Sequence, residues 1–148
     1  MIVRVQKLDK NAHEPDFAHE SDAGCDLYAN ESVSIAPHAR ALVKTGIAMA
    51  IPEGFAGLVW DKSGLAVKMG LHRLAGVIDA GYRGEIQVAL VNLGNEPVAI
   101  AKGQKIAQML FQKIEHASFQ VVDSLDDTAR GAGGFGSTGL QKKEAKSP

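Results

Sequence analysis

The sequence predicts an all-β fold, a β-sandwich or barrel with a short helix and a flexible C-terminal arm. Three observations point there. Short apolar runs recur along the chain, punctuated by the Pro- and Gly-containing turns "APHA", "IPEG", "AGYRGE", "LGNEP" and "AKGQ". These runs follow one another without the regular strand–helix alternation of a parallel sheet. At 148 residues, with 45% hydrophobic and 22% charged content, the chain suits one globular domain that buries its core without disulfides.

Taken in order, strands are expected near residues 2–7, 25–28, 32–35, 41–50, 57–60, 84–92, 97–100, 107–112 and 119–122. "KIAQMLFQKI" fits a helical period as well as a strand. Two stretches read as helical: "KSGLAVKMG", with one or two turns ending at Gly70, and "SLDD" at 124–127, which fits a capping box. "AGVIDAGYRGE" reads as a β-hairpin, with Val77 and Ile78 on its strand and Asp79 where the strand meets the turn. The chain thus divides into a β-rich body over 1–128 and a glycine-rich arm with a disordered, charged tail over 129–148.

The formal net charge of −1 argues against a nucleic-acid polymer or an anionic membrane as partner. The N-terminus "MIVRVQKLDK" carries no signal-like apolar region, and no apolar run approaches membrane-spanning length. The single cysteine, Cys25, forms no internal disulfide and suits a reducing cytosol, so a cytoplasmic location is expected.

Several stretches carry more chemistry than the fold needs. "DAGCDLYA" places the carboxylates Asp22 and Asp26 at the start of a strand. "DKSGLAVKMG" sets Lys62 and Ser63 at the mouth of the helix, where backbone amides favour an anion. "KGQKIAQ" ends in Gln108, a polar residue in an apolar strand. "RGAGGFGSTG" sets Arg130, Phe135, Ser137 and Thr138 among glycines. On composition that stretch is either a plain flexible tail or an arm whose bare amides bind phosphate. Gly131, Gly133 and Gly136 match G-x-G-x-x-G, but no helix pattern follows to make it a dinucleotide fingerprint. A triad of Ser63, His72 and Asp79 lacks a G-x-S-x-G elbow. The five histidines show no metal-ligand spacing, whereas magnesium delivered with a nucleotide needs only phosphates and a carboxylate.

In order, "AGCDLYA", "KSGLAVKMG", "AGVIDAGYRGE", "KGQKIAQ" and "RGAGGFGSTG" resemble the five motifs of the trimeric dUTP diphosphatases, covering about residues 23–139. The resemblance implies a jelly-roll-like subunit in a homotrimer with shared sites, splitting dUTP into dUMP and pyrophosphate with Mg²⁺. That activity keeps uracil out of DNA and supplies dUMP for thymidylate synthesis. By the same resemblance, Asp79 orients or deprotonates the attacking water and touches the sugar 3′-OH, and Tyr82 underlies the deoxyribose. Backbone groups of Gly76, Val77 and Ile78 read the uracil edge, with Arg73 nearby. Asp26 holds a water of the Mg²⁺ shell. Lys62, Ser63, Gly64 and Gln108 line the phosphates. Arg130, Gly136, Ser137 and Thr138 close the arm over the γ end, and Phe135 stacks on uracil.

Two departures stand out. The second motif reads Asp61-Lys62-Ser63-Gly64 where the family usually has P-R-S-G, so lysine keeps the charge without arginine's fork. Asp61 must turn away from bound phosphates or meet the metal, and Arg73 stands where many bacterial relatives have asparagine near the base. Two rival readings share the scaffold. A dCTP deaminase needs a glutamate where this chain has Ala89. A non-enzymatic nucleotide sensor would have no use for a water-orienting Asp79.

Overall fold

The computed structural model describes residues 1–134 and 137. The chain forms two compact units, Met1–Glu115 and His116–Pro148. The first unit runs β1 (Arg4–Lys7), β2 (Cys25–Tyr28), β3 (Val33–Ile35), β4 (Arg40–Ala50), β5 (Phe55–Trp60), α1 (Ser63–Met69), β6 (Leu71–Leu74), β7 (Val77–Ile78), β8 (Glu85–Asn92), β9 (Val98–Ile100) and β10 (Lys105–Lys113). One four-stranded sheet has the order β1-β4-β8-β6 and another β2-β10-β5-β7, while β3 and β9 pair separately. All these pairings are antiparallel.

Alternation explains how the sheets bury one face. In β8, Ile86, Val88, Leu90 and Asn92 point inward while the residues between them stay half-exposed. A single core draws Val43, Ile47 and Met49 from β4 and Ile86, Val88 and Leu90 from β8. The opposite sheet contributes Leu27, Val59, Ala107 and Met109. This is the all-β sandwich expected, with one short helix. The helix ends at Gly70, whose φ of 69° is a left-handed cap that glycine adopts without a side-chain clash. Among the described residues, no helix is long and apolar enough to cross a membrane.

Expected and observed strands agree within a few residues, and "KIAQMLFQKI" is strand because β10 finds ladder partners on both sides, in β2 and β5. Four points differ. "LHRL", not expected as a strand, becomes the edge strand β6 because β8 offers it a full register from Leu71↔Asn92 to Leu74↔Ala89. The hairpin expected over 75–85 is not one. β7 pairs with β5 through Gly57↔Ile78 and Leu58↔Val77, whereas β8 lies between β4 and β6, so residues 79–84 cross between sheets. No strand forms at 119–122, where Phe119 is 95% and Val121 98% exposed; alternation alone does not make a strand without a ladder partner. No helix follows the capping-box pattern at 124–127, since a cap cannot hold a turn that buries no apolar face.

Candidate active site

Strand register builds the first half of the site. Gln108 of β10 stands opposite Asp26 of β2 on one side and Trp60 of β5 on the other. Asp61, Lys62 and Ser63 then leave the end of β5 directly beside that row. Asp26 is only 2% exposed. Lys62 Nζ lies 2.5 Å from its Oδ1 and Lys105 Nζ 2.5 Å from its Oδ2. The Lys105 approach is off the direction of an aligned hydrogen bond, so it acts chiefly as charge on charge. Burial alone pushes the Asp26 carboxyl up, but the contacts from Lys105 and Lys62 outweigh it and hold the group below its ordinary value. Lys105 is in turn pushed up, first by its contact with Asp26. Two ammonium groups on one carboxylate leave this cluster net positive, which suits an anionic ligand.

Asp61 turns away from the cluster, as a carboxylate near phosphates must. Its Oδ1 accepts the backbone N–H of Arg73 at 2.7 Å, and Oδ2 lies 2.6 Å from His72 Nδ1. His72 therefore partners Asp61 and not Asp79, which disposes of the paper triad with Ser63. Gln108 Nε2 donates to the Asp61 carbonyl at 2.9 Å, so this side chain braces the loop that carries Lys62. The first helical hydrogen bonds come from Leu65 and Ala66, both to Lys62 O. The amides of Ser63 and Gly64 lie ahead of that ladder, and the space around Gly64 is open.

The second half forms beside β7. Val77, Ile78, Asp79, Tyr82, Glu85 and Gln87 line a cavity of about 240 Å³. Asp79 is exposed, and no hydrogen bond ties its carboxylate among the described residues. The Tyr82 amide donates to Asp79 O at 3.1 Å and the Tyr82 hydroxyl to Glu85 O at 3.0 Å, which fixes the ring in the wall. Glu85 is already engaged by the Gly46 amide at 2.8 Å and the Gln87 side chain at 3.1 Å. That leaves Asp79 as the cavity's uncommitted carboxylate.

Ahead of β7 the backbone turns sharply. Ala75 has φ 59° and Gly76 φ 115°. A Cβ on Gly76 would stand 3.1 Å from Val59 O, so the close approach and the dihedral both call for glycine. Gly76 O accepts from Val59 N at 2.8 Å, which commits that carbonyl to the fold. Arg73 folds over this turn, with Nη1 donating to Ala75 O at 2.5 Å and the guanidinium 4.9 Å from the Trp60 ring centroid.

In the second unit, Arg130 Nε donates to Gly133 O at 2.8 Å, Gly131 N to Thr128 O at 3.0 Å, and Ser137 N to Gly134 O at 3.1 Å. Phe135, Gly136 and Thr138 lie outside the described residues.

Among the described residues, no three His, Cys, Asp or Glu side chains converge where a metal ion could be held. Asp26 is a lone carboxylate between two ammonium groups. With a cation against each of its oxygens, that carboxylate makes no cage for a metal ion.

The structure thus brings Asp26, Lys62 and Gln108 together around one strand row, and Val77, Ile78, Asp79 and Tyr82 around one cavity. Sequence reasoning missed Lys105 and Trp60, and weighed His72 only in a triad with Ser63 and Asp79, not as the partner of Asp61. Lys105 stands in the quoted "KGQKIAQ", but only the β2–β10 register shows that it meets Asp26. Trp60 carried no signal beyond its proximity to the second motif.

An all-β sandwich with an ammonium–carboxylate cluster beside one short helix, and an uncommitted carboxylate in a small cavity, defines the class of protein. Comparison with known proteins specifies it further. The dUTPase family model matches residues 10–139. The chain is 49% identical over 140 residues to the deoxyuridine 5'-triphosphate nucleotidohydrolase of Thermobifida fusca, covering 93% of this chain and 78% of that one. It is likewise 49% identical to the same-named protein of Corynebacterium glutamicum, covering 93% and 94% of the two. Among solved structures, a mutant dUTPase of Staphylococcus bacteriophage 80alpha with dUpNHpp matches with TM-score 0.88 and 30% identity, over 94% of this chain and 99% of that one. A mutant dUTPase from phage phi11 of S. aureus, described with a structural Mg(II) ion, matches with TM-score 0.78 and 29% identity, over 84% and 98%. The chain belongs to the dUTPase family.

Proposed function

We propose that the protein hydrolyses dUTP to dUMP and pyrophosphate, with Asp79 as the catalytic carboxylate. The observation that carries this reading is the cavity in which an uncommitted Asp79 faces Tyr82 beside the Val77–Ile78 backbone. A deoxyuridine enters with its base along that backbone and its sugar on the Tyr82 ring, where a 2′-OH has no room. Asp79 accepts a hydrogen bond from a water and aligns its oxygen with the α-phosphorus. The new bond joins water oxygen to the α-phosphorus as the bridge to the β-phosphate breaks. The water's oxygen stays on dUMP, its proton passes to Asp79, and pyrophosphate leaves.

Lys62, Lys105 and the amides of Ser63 and Gly64 supply positive charge and donors for the phosphates. Asp26 would hold a water of the Mg²⁺ shell, and the ion would neutralise phosphate charge. Arg130, Phe135, Gly136, Ser137 and Thr138 form the arm that closes over the nucleotide, in a homotrimer whose sites draw on more than one subunit. A cytoplasmic site of action fits a reducing environment for Cys25.

Ala89 supplies no acid or base for deaminating cytosine, and Glu85, which lines the cavity with Asp79, is committed to Gly46 and Gln87. Purified protein with dUTP and Mg²⁺ tests the reading. Pyrophosphate and dUMP should appear together, whereas ammonia release would indicate deamination and binding without turnover a sensor.

A further inference from the structure

The residues between the two halves of the site contact one another. Trp60 ends β5 and Asp61 follows it, and both engage Arg73 of β6. The Trp60 ring lies under its guanidinium at 4.9 Å, and the Asp61 carboxylate accepts its backbone N–H at 2.7 Å. Arg73 then reaches forward, with Nη1 on Ala75 O at 2.5 Å. Its Cδ would lie 3.6 Å from a Cβ at Gly76, so the aliphatic stem covers the turn.

That turn is the least favourable backbone near the site. Ala75 adopts a left-handed φ of 59° although it is not glycine, and Gly76 follows at 115°. An alanine held there tends to relax to negative φ unless its surroundings prevent it. The Arg73 bond to Ala75 O is the side-chain contact that opposes such relaxation. The next residues, Val77 and Ile78, present the backbone edge of the cavity.

We propose that Arg73 is a positioning residue for base selection: braced by Trp60 and Asp61, it locks the Ala75–Gly76 turn and so fixes the Val77–Ile78 edge. This rests on the reading of the site as one for dUTP. Arg73 acts on the base through the backbone, not by touching it. The same brace links the two halves, because Asp61 also anchors the loop carrying Lys62 through its carbonyl to Gln108. A rigid edge holds its donors and acceptors at the spacing of uracil; a loose edge accommodates cytosine at lower cost.

The test uses the full-length protein and Arg73→Met, which keeps a flexible stem over the turn but removes the donor. Wild-type hydrolysis of dUTP is measured first; its failure would remove the reading of the site and leave the brace as a separate matter of backbone rigidity. With wild type active, Arg73→Met should raise KM for dUTP about tenfold, with the loss concentrated in KM, and lower the dUTP-to-dCTP preference about tenfold. In nucleotide-free protein, amide exchange over residues 74–79 should quicken about tenfold, a readout that loss of a direct base contact would not move. Trp60→Leu should shift all three quantities the same way, and Trp60→Phe, which keeps an aromatic face, should restore them. Trp60→Leu also serves if Arg73→Met fails to fold. Unchanged exchange alongside lost discrimination would overturn the proposal in favour of direct contact. An unchanged dUTP-to-dCTP preference, or equal losses in kcat and kcat/KM, would overturn it outright.

Discussion

The Lys62 ammonium lies 2.5 Å from a carboxylate oxygen of Asp26, a side chain that the fold leaves almost without solvent contact. The Lys62 charge is thus tied to Asp26 instead of standing free. Lys62 orders the loop and still leaves the cluster positive, because Lys105 supplies a second ammonium.

Lys62→Ala should therefore weaken nucleotide binding and steepen the loss of activity with salt, since fewer fixed charges remain near the phosphates. Lys62→Arg should be tolerated or improve binding through its bidentate fork. Steady-state kinetics across a salt series check this; identical salt slopes for wild type and Lys62→Ala would mean that Lys62 serves the loop alone.

Acid should loosen the Asp26 cluster. Asp26 titrates below its ordinary 3.8 in the folded protein, so its stabilising contribution is complete above that value and is lost as pH falls through the lower, folded one. Asp26→Asn should cost about 2 kcal/mol at neutral pH, less than a fully buried pair because both lysines reach solvent. It should also flatten the acid limb of the melting-temperature profile measured without metal. An acid limb unchanged by Asp26→Asn would assign acid sensitivity to other carboxylates.

Cys25 offers an independent check of the packing. It is 3% exposed, burial pushes its thiol up, and Sγ lies 3.5 Å from Met109 O. Alkylation in native protein near neutral pH should be slow and limited by opening of the fold, then fast in denaturant. Rapid labelling of native protein would contradict the sandwich as described.

How far the sequence led can be read from particular residues. Periodicity gave β8 because its burial alternates strictly, and Gly70 marked the helix end because its φ of 69° is a glycine conformation. The edge strand at Leu71–Leu74 was missed because a short run with His and Arg at its centre has no signal until β8 supplies a register. The supposed hairpin misled because turn residues in "IDAGY" report a local bend, not which sheet each flank will join. At the site, Asp26, Lys62, Asp79 and Tyr82 were legible from motifs. The Lys105 contact was not, since it follows from β2–β10 pairing between strands distant in sequence, and neither were the Trp60 and His72 contacts, which join β5 and β6 across two sheets that do not pair there.

The arm invites a test of shared sites. A protein carrying Asp79→Asn and another truncated before Arg130 should each be inactive when refolded alone. Refolded together, they should regain activity if an arm serves a neighbour's Asp79, because some mixed assemblies then hold one complete site. Mixed trimers without rescue would show that each arm serves its own chain.

The role of Asp79 is tested most directly by single-turnover hydrolysis of dUTP by wild type and Asp79→Asn, with nucleotide binding measured in parallel. The exposed carboxylate has no partner among the described residues, so its replacement should leave the fold intact and binding within a few-fold, about 1 kcal/mol or less. The rate of pyrophosphate release should fall by at least about a hundredfold. Near-normal release from Asp79→Asn, with binding intact, would contradict the account by reducing Asp79 to the first residue of a turn.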